Sequence, residues 1–204
     1  MTILLTRPYY DKATHYLYHW TGALSSEAKR RGIKVLELEK GKVKKNVVIS
    51  YLKKHKPDYV VFNGHGDYGL VCGQDDDILI RAGENEAVIS GMHVFVRACR
   101  AARTLGPAAM RAGAKSFIGY REDFVFLHDP NNVRHPIDDK LAAPFFEASN
   151  RVVLSLIKGK SPLDAHKEGQ QAHIDEIDRL SLSGSELTYL VPFLQWNLIN
   201  QVCL

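Results

Sequence analysis

The run Tyr59-Val60-Val61-Phe62, closed by Asn63-Gly64 and followed by His65-Gly66-Asp67, is short, continuously apolar and rich in residues that favour strands. A strand with one wet face would alternate apolar and polar residues. This one is therefore expected to be buried on both faces, as strands of a parallel sheet are. Working outward, Thr2–Thr6 and Ile33–Leu38 upstream read the same way, as do Val94-Phe95-Val96 and Ala114–Gly119 downstream. Helical periodicity separates them: Thr14–Arg31 closed by Gly32, Val43–His55 ended before Lys56-Pro57, and Leu105–Ala112. Leu70–Ile80 reads as a small hairpin turning at Gln74-Asp75-Asp76-Asp77. Beyond residue 135 the pattern is helical: Asp138–Lys158 up to Gly159, a helix opened by Ser161-Pro162-Leu163-Asp164 with Ser161 as N-cap, and Glu186–Leu198. Alternating strands and helices predict one α/β domain over residues 1–204, a three-layer sandwich with a mostly parallel sheet and helices on both faces.

Composition agrees. A chain of 204 residues, 45% hydrophobic and 25% charged, has the make-up of a globular domain that needs no disulfide or metal staple. Three cysteines, Cys72, Cys99 and Cys203, cannot build a disulfide framework. No apolar run is long enough to span a bilayer, and the first residues lack a basic segment and a signal-length apolar one, so a cytoplasmic protein without a membrane partner is expected. The net charge of +4 comes largely from Lys and Arg between Lys29 and Lys54. These fall on the outer faces and ends of two amphipathic helices, without interleaved aromatics, which argues against nucleic acid.

In an open parallel sheet, ligands bind beyond the carboxyl ends of the strands. The third strand delivers Asn63-Gly64-His65-Gly66 there, and the fourth delivers Arg97-Ala98-Cys99-Arg100. If the two strands are neighbours, His65 and Cys99 emerge side by side, and an imidazole beside a thiol makes a useful nucleophile. The Gly66 and Cys99 amides would then polarise the carbonyl under attack. Either residue alone reads more readily as a structural or packing residue; the pair at consecutive strand ends shifts the balance toward catalysis.

Other signals carry less. His15 and His19 have metal-ligand spacing, but Tyr16 stands where a zinc peptidase helix has Glu, and a solvated helix face is the simpler reading. Asp75-Asp76-Asp77 reads as a turn, Cys72 and Cys203 as packing, and His166 and His173 as one water-facing helix stripe. Asn63–Gly69 is Gly-rich without the Lys-Ser/Thr of a phosphate loop. No metal and no cofactor is expected.

The constellation resembles the caspase–separase–gingipain superfamily of cysteine peptidases, in particular the small prokaryotic CHAT-type domains. The likeness lies in the strands entering Asn63-Gly64-His65-Gly66 and Ala98-Cys99, the helix from Thr104-Leu105-Gly106 to Gly113, and Ala114 through Tyr120. It continues through Phe145 to Gly159-Lys160-Ser161-Pro162 with Ala165, and Gln195-Trp196-Asn197 to Leu204 looks like the family's closing helix. The resemblance implies a six-stranded sheet, Cys99 as nucleophile, His65 as base and general acid, a protein or peptide substrate, and a regulatory protein partner. The position two before the nucleophile borders the first specificity pocket in that superfamily, and here it is Arg97. With Arg7 opening onto the same edge, an acidic residue before the scissile bond follows. Glu122 and Asp123, after the fifth strand, are the competing pocket residues, able to neutralise Arg97 and turn the preference basic. Two other readings keep the fold: a catalytically silent caspase-like or flavodoxin-like binding module, and a thiol acyl transferase using the same pair.

Overall fold

The computed structural model describes residues 1–182 and 184–204. The chain opens with β1 (Thr2–Arg7), α1 (Lys12–Arg30), β2 (Lys34–Glu39), α2 (Lys45–His55) and β3 (Tyr59–Asn63). A small antiparallel sheet follows, made of β4 (Gly66–Asp67), β5 (Leu70–Cys72) and β6 (Ile78–Arg81). Then come β7 (His93–Arg97), α3 (Ala101–Arg111), β8 (Ser116–Tyr120), α4 (Ala143–Ile157), α5 (Pro162–Ser181), α6 (Val191–Asn200) and β9 (Gln201–Cys203). The main sheet has six strands in the order β2-β1-β3-β7-β8-β9, all parallel except β9, which runs antiparallel to β8. The three-layer α/β architecture is as the sequence predicts.

Strand register sorts the core into two layers. Leu5, Val61, Phe95 and Ile118 stand abreast and pack with Ile3 against α1, α4 and α5 through Leu24, Val152, Val153 and Ala165. Leu4, Val60, Phe62, Val94, Val96 and Phe117 face the other way onto α2 and α3, through Leu52, Ala101 and Leu105. Both faces are dry, which is why the strands carry no polar alternation. Because β1 pairs with β2 on one side and β3 on the other, the strand order reverses there and leaves a crevice at the carboxyl ends.

Several boundaries differ from the sequence reading, each for a visible reason. α3 starts at Ala101 rather than Leu105, because Ala101 and Ala102 are already buried on the sheet and Arg100 takes a left-handed turn (φ 57°) into the helix. α4 starts at Ala143 rather than Asp138: the buried Asp139 carboxylate accepts from the Tyr16 hydroxyl at 2.5 Å and the Asp129 and Leu141 amides at 2.9 Å, holding the preceding residues in turns. The closing segment is not helical to Leu204. It leaves α6 after Asn200 and becomes β9, with Val202 and Leu204 packing on one core and Cys203 on the other. Nor do His166 and His173 face water; both are buried where α5 packs on α4 and β9. His166 Nδ1 meets Gln201 Oε1 at 3.2 Å and His173 Nδ1 meets the Gly169 carbonyl at 2.9 Å. Burial drives the His173 pKa down to about 4, so that ring is neutral near pH 7. No helix among the described residues is long and apolar enough to cross a membrane.

Candidate active site

Parallel pairing of Asn63 with Arg97 carries His65 and Cys99 out of β3 and β7 at the same level. Asn63 ties β3 to β1: its amide nitrogen donates to the Thr6 carbonyl at 2.9 Å, and its backbone N–H to Thr6 Oγ1 at 3.0 Å. Gly64 then crosses under β5 with φ 153°, and a Cβ there would lie 2.2 Å from the Cys72 carbonyl oxygen. A Cβ on Gly66 would fall 2.7 Å from the Cys99 oxygen and 2.8 Å from the Ala98 Cβ. Only glycine lets the loop after β3 lie directly on the Ala98-Cys99 backbone. The Cys72 N–H donates to the His65 carbonyl at 2.8 Å, so Gly66 and Val71 form a non-hydrogen-bonded pair and the Gly66 N–H points out of the hairpin.

His65 is partly exposed, and its Nε2 stands 2.6 Å from Asp11 Oδ2. Asp11 was not among the residues singled out from sequence. It is the N-cap of α1, its Oδ1 accepting from the Thr14 N–H at 2.8 Å in a capping box, which leaves Oδ2 for the imidazole. Partial burial would raise its pKa; the bonds from Thr14 and His65 outweigh this and hold the carboxyl below its ordinary range. An ionised carboxylate only accepts, so Nε2 carries the proton and Nδ1 of the neutral ring keeps a basic lone pair.

Cys99 sits between β7 and the start of α3, partly buried. No hydrogen bond joins it to His65 among the described residues. Burial pushes its thiol up to about 11; the Asp123 charge and hydrogen bonding to that carboxylate add to the shift, while the Phe124 N–H opposes it. The thiol is thus neutral near pH 7 and covered by the segment that follows β8. That segment is tied down on both sides. Arg100 Nη2 donates to Asp123 Oδ2 at 3.0 Å, Arg103 pairs with Glu122, and Trp196 Nε1 donates to the Asp123 carbonyl at 2.9 Å. Asn197 holds the Val125 N–H at 2.9 Å and the Val125 carbonyl at 2.6 Å.

Arg97 is fully buried beneath the same segment, on the α4 side of the sheet. Its Nε donates to Ser149 Oγ at 2.9 Å and its Nη2 to Asn150 Oδ1 at 2.5 Å, with the Phe95, Phe124 and Phe146 rings 5.6–5.9 Å from Cζ. Nη1 has no partner among the described residues, and no carboxylate pairs with the guanidinium. Burial lowers its pKa to about 10, partly offset by Tyr120, so it stays charged near neutrality. Glu122 and Asp123, which could have neutralised it, are instead paired with Arg103 and Arg100. Arg7 lies elsewhere: it pairs with Glu37 at 2.5 Å and with Glu39, and donates from Nε to the Tyr18 carbonyl at 3.0 Å. The structure therefore lays the backbone at Gly66, next to His65, on the Ala98-Cys99 backbone, sets Asp123 against Cys99, encloses the Arg97 guanidinium between Ser149, Asn150 and three phenylalanines, and places Arg7 toward β2.

His15 and His19 gain no third ligand; no group of three or more His, Cys, Asp or Glu among the described residues could hold a metal ion. Asp75-Asp76-Asp77 is a turn, as read: Asp77 caps α2 through the Lys45 N–H at 2.6 Å, and Lys44 pairs with Asp75. No protein-family model and no curated protein matches the chain.

Proposed function

We propose that the chain is a caspase-like cysteine endopeptidase that cleaves after an acidic residue. The observation that carries this reading is the convergence of Asp11-oriented His65 and Cys99 at the carboxyl ends of β1, β3 and β7, with the glycine loop of β3 laid on the Cys99 backbone. In the reaction, the Cys99 sulfur attacks the scissile carbonyl carbon while its proton passes to His65 Nδ1. The carbonyl oxygen gathers negative charge toward the Gly66 and Cys99 amides. His65 returns the proton to the leaving nitrogen as the C–N bond breaks, giving a thioester. It then takes a proton from water as the hydroxide attacks the thioester carbon. The C–S bond breaks, releasing the acid product and the Cys99 thiolate, which recovers the proton from His65. Asp11 holds the ring in the required tautomer and stabilises the imidazolium.

Arg97 supports the acidic preference. A buried guanidinium without a carboxylate is expensive to hold, and an incoming Asp or Glu side chain supplies the missing partner at Nη1. Both the thiol and this cation lie under residues 121–127, so this segment has to move aside for substrate to enter. The neutral, covered thiol also favours one rival, a binding module that occupies the same edge and cleaves nothing. A peptidyl acyloxymethyl ketone ending in Asp separates the two. Labelling of Cys99, read by intact mass and abolished in His65→Ala, supports the peptidase; an unlabelled thiol at millimolar reagent overturns it. Whether the thioester passes to water or to an added amine then distinguishes hydrolysis from acyl transfer.

A further inference from the structure

The β1–α1 loop, which supplies Asp11, also forms one wall of a cleft of about 620 Å³ at the reversal of strand order, its other wall being Val133 and Arg134. Its lining is unusual in charge. Lys12, His15, His19 and Arg134 face it, Lys40 Nζ lies over the bordering Tyr9 ring at 5.3 Å, and its one acidic residue, Asp11, is engaged by His65 and Thr14. Lys12, Lys40 and Arg134 make no ion pair among the described residues, whereas the nearby Arg7 and Lys44 are paired. His15 Nε2 bonds the Val133 carbonyl at 2.7 Å and packs edge-on to His19 at 4.8 Å. Burial above all, then His15, Arg7 and Lys40, hold the His19 pKa below its ordinary value. Tyr10 borders both sites, its ring 6.0 Å from that of His65.

From this cluster we infer a second, anion-selective subsite that takes an Asp/Glu-rich stretch of the polypeptide substrate lying over His65. The inference rests on the peptidase reading for its substrate, but the cleft and its charges stand apart from the thiol. A chain in extended form advances about 3.3 Å per residue, so one crossing His65 reaches the cleft within a few residues. Carboxylates there would meet Lys12 and Arg134 at the mouth and His19 deeper in, with the Tyr9 and Tyr10 rings flanking the backbone. Cations clustered in a cleft attract such a segment more strongly at low ionic strength.

Two measurements test it together. Fluorescence anisotropy on Cys99→Ala protein compares a dye-labelled peptide carrying an Asp-Glu-rich flank with the same peptide carrying Asn and Gln. The acidic flank should bind at least tenfold tighter at 50 mM salt, and Lys12→Glu/Arg134→Glu should abolish the difference. In parallel, a short reporter peptide with no flank should be cleaved equally by wild type and the double variant. Equal binding of the two flanked peptides overturns the subsite, even if the short reporter is cleaved. Tight acidic binding with no cleavage of any peptide keeps the subsite and overturns the peptidase.

Discussion

The two flanks of the site are built in opposite ways. On the β1/β3 side the Asp11–His65 pair stands partly in solvent, and the imidazole is already oriented by a helix cap. On the β7/β8 side the thiol and the Arg97 cation lie beneath residues 121–127, each held in a state that suits the closed form: a neutral sulfur and an unpaired guanidinium. If the chain is the peptidase proposed above, His65 is accessible as it stands, whereas Cys99 and Arg97 would be uncovered together by displacement of residues 121–127. What resists that movement is the packing of Phe124 and Phe126 against Tyr16, Tyr120 and Phe146, together with the Asp123–Arg100 and Glu122–Arg103 pairs and the bonds from Trp196 and Asn197 on α6.

The largest effect should come from the covered side. Cys99→Ala removes the proposed nucleophile and should lower peptide cleavage at least ~10³-fold. The loss of one sulfur from a partly buried site should cost about 1 kcal/mol or less of stability. Cleavage assays and thermal unfolding of the purified variant decide. Retained turnover would move the chemistry off Cys99, and a collapse of stability would make it a packing residue.

On the open side, Asp11→Asn keeps an N-cap for α1 but takes the negative charge from Nε2, and turnover should fall about a hundredfold. Asp11→Ala should show the same loss of rate with a further ~1 kcal/mol lost from α1 through the missing cap. Rate and unfolding curves on both variants resolve the two roles. An Asn variant with full activity would reduce Asp11 to a cap alone.

The two flanks also differ in how far they can be read from the chain. The continuous apolar runs of β1, β3, β7 and β8 declare a doubly covered parallel sheet, and the placement of His65 and Cys99 beyond the ends of neighbouring strands follows from those runs alone. Asp11 carried a local signal, an Asp three residues before Thr14 at a helix start, but that signal speaks of a cap and is silent about a histidine 54 residues away. β9 hid because Gln201-Val202-Cys203 is too short to show a period and follows a helix directly. The burial of His166 and His173 depends on how α5 rotates against α4, where Gly169 sits so close to Val152 that a Cβ would fall 2.4 Å from its Cγ2. Spacing along the helix places the two histidines on one stripe, but only tertiary packing says which way that stripe faces. The same holds for Arg97, whose Ser149 and Asn150 partners lie more than fifty residues downstream.

Arg97→Met sharpens the contrast between a cation kept for structure and one kept for a ligand. If Arg97 awaits a substrate carboxylate, Met removes the desolvation burden while Ser149 keeps Tyr120 and Asn150 keeps the Trp20 carbonyl. Stability should then stay within about 2 kcal/mol of wild type, while preference for Asp over Asn before the scissile bond drops about tenfold. A substrate pair differing only at that position, read alongside denaturant unfolding, gives both numbers. Intact preference, or wild-type selection of Arg or Lys there, ends the acidic assignment.

The smallest effect tests the cover itself. The negative charge of Asp123 and its hydrogen bond to Cys99 both favour the neutral thiol, so Asp123→Asn should move the thiol titration to lower pH. More thiolate at a fixed pH means faster alkylation, and the same substitution removes the charge that Arg100 holds. Iodoacetamide labelling of Cys99 at pH 8 should rise several-fold, with its pH profile shifted toward that of a free thiol near pH ~8.5. Wild-type protein should label slowly until well above that pH. If the wild-type profile already matches a free thiol, the segment is open in solution and Asp123 is not what restrains the nucleophile. If both profiles sit high and coincide, burial alone restrains it, and freeing the thiol requires moving Phe124 and α6 rather than removing one charge.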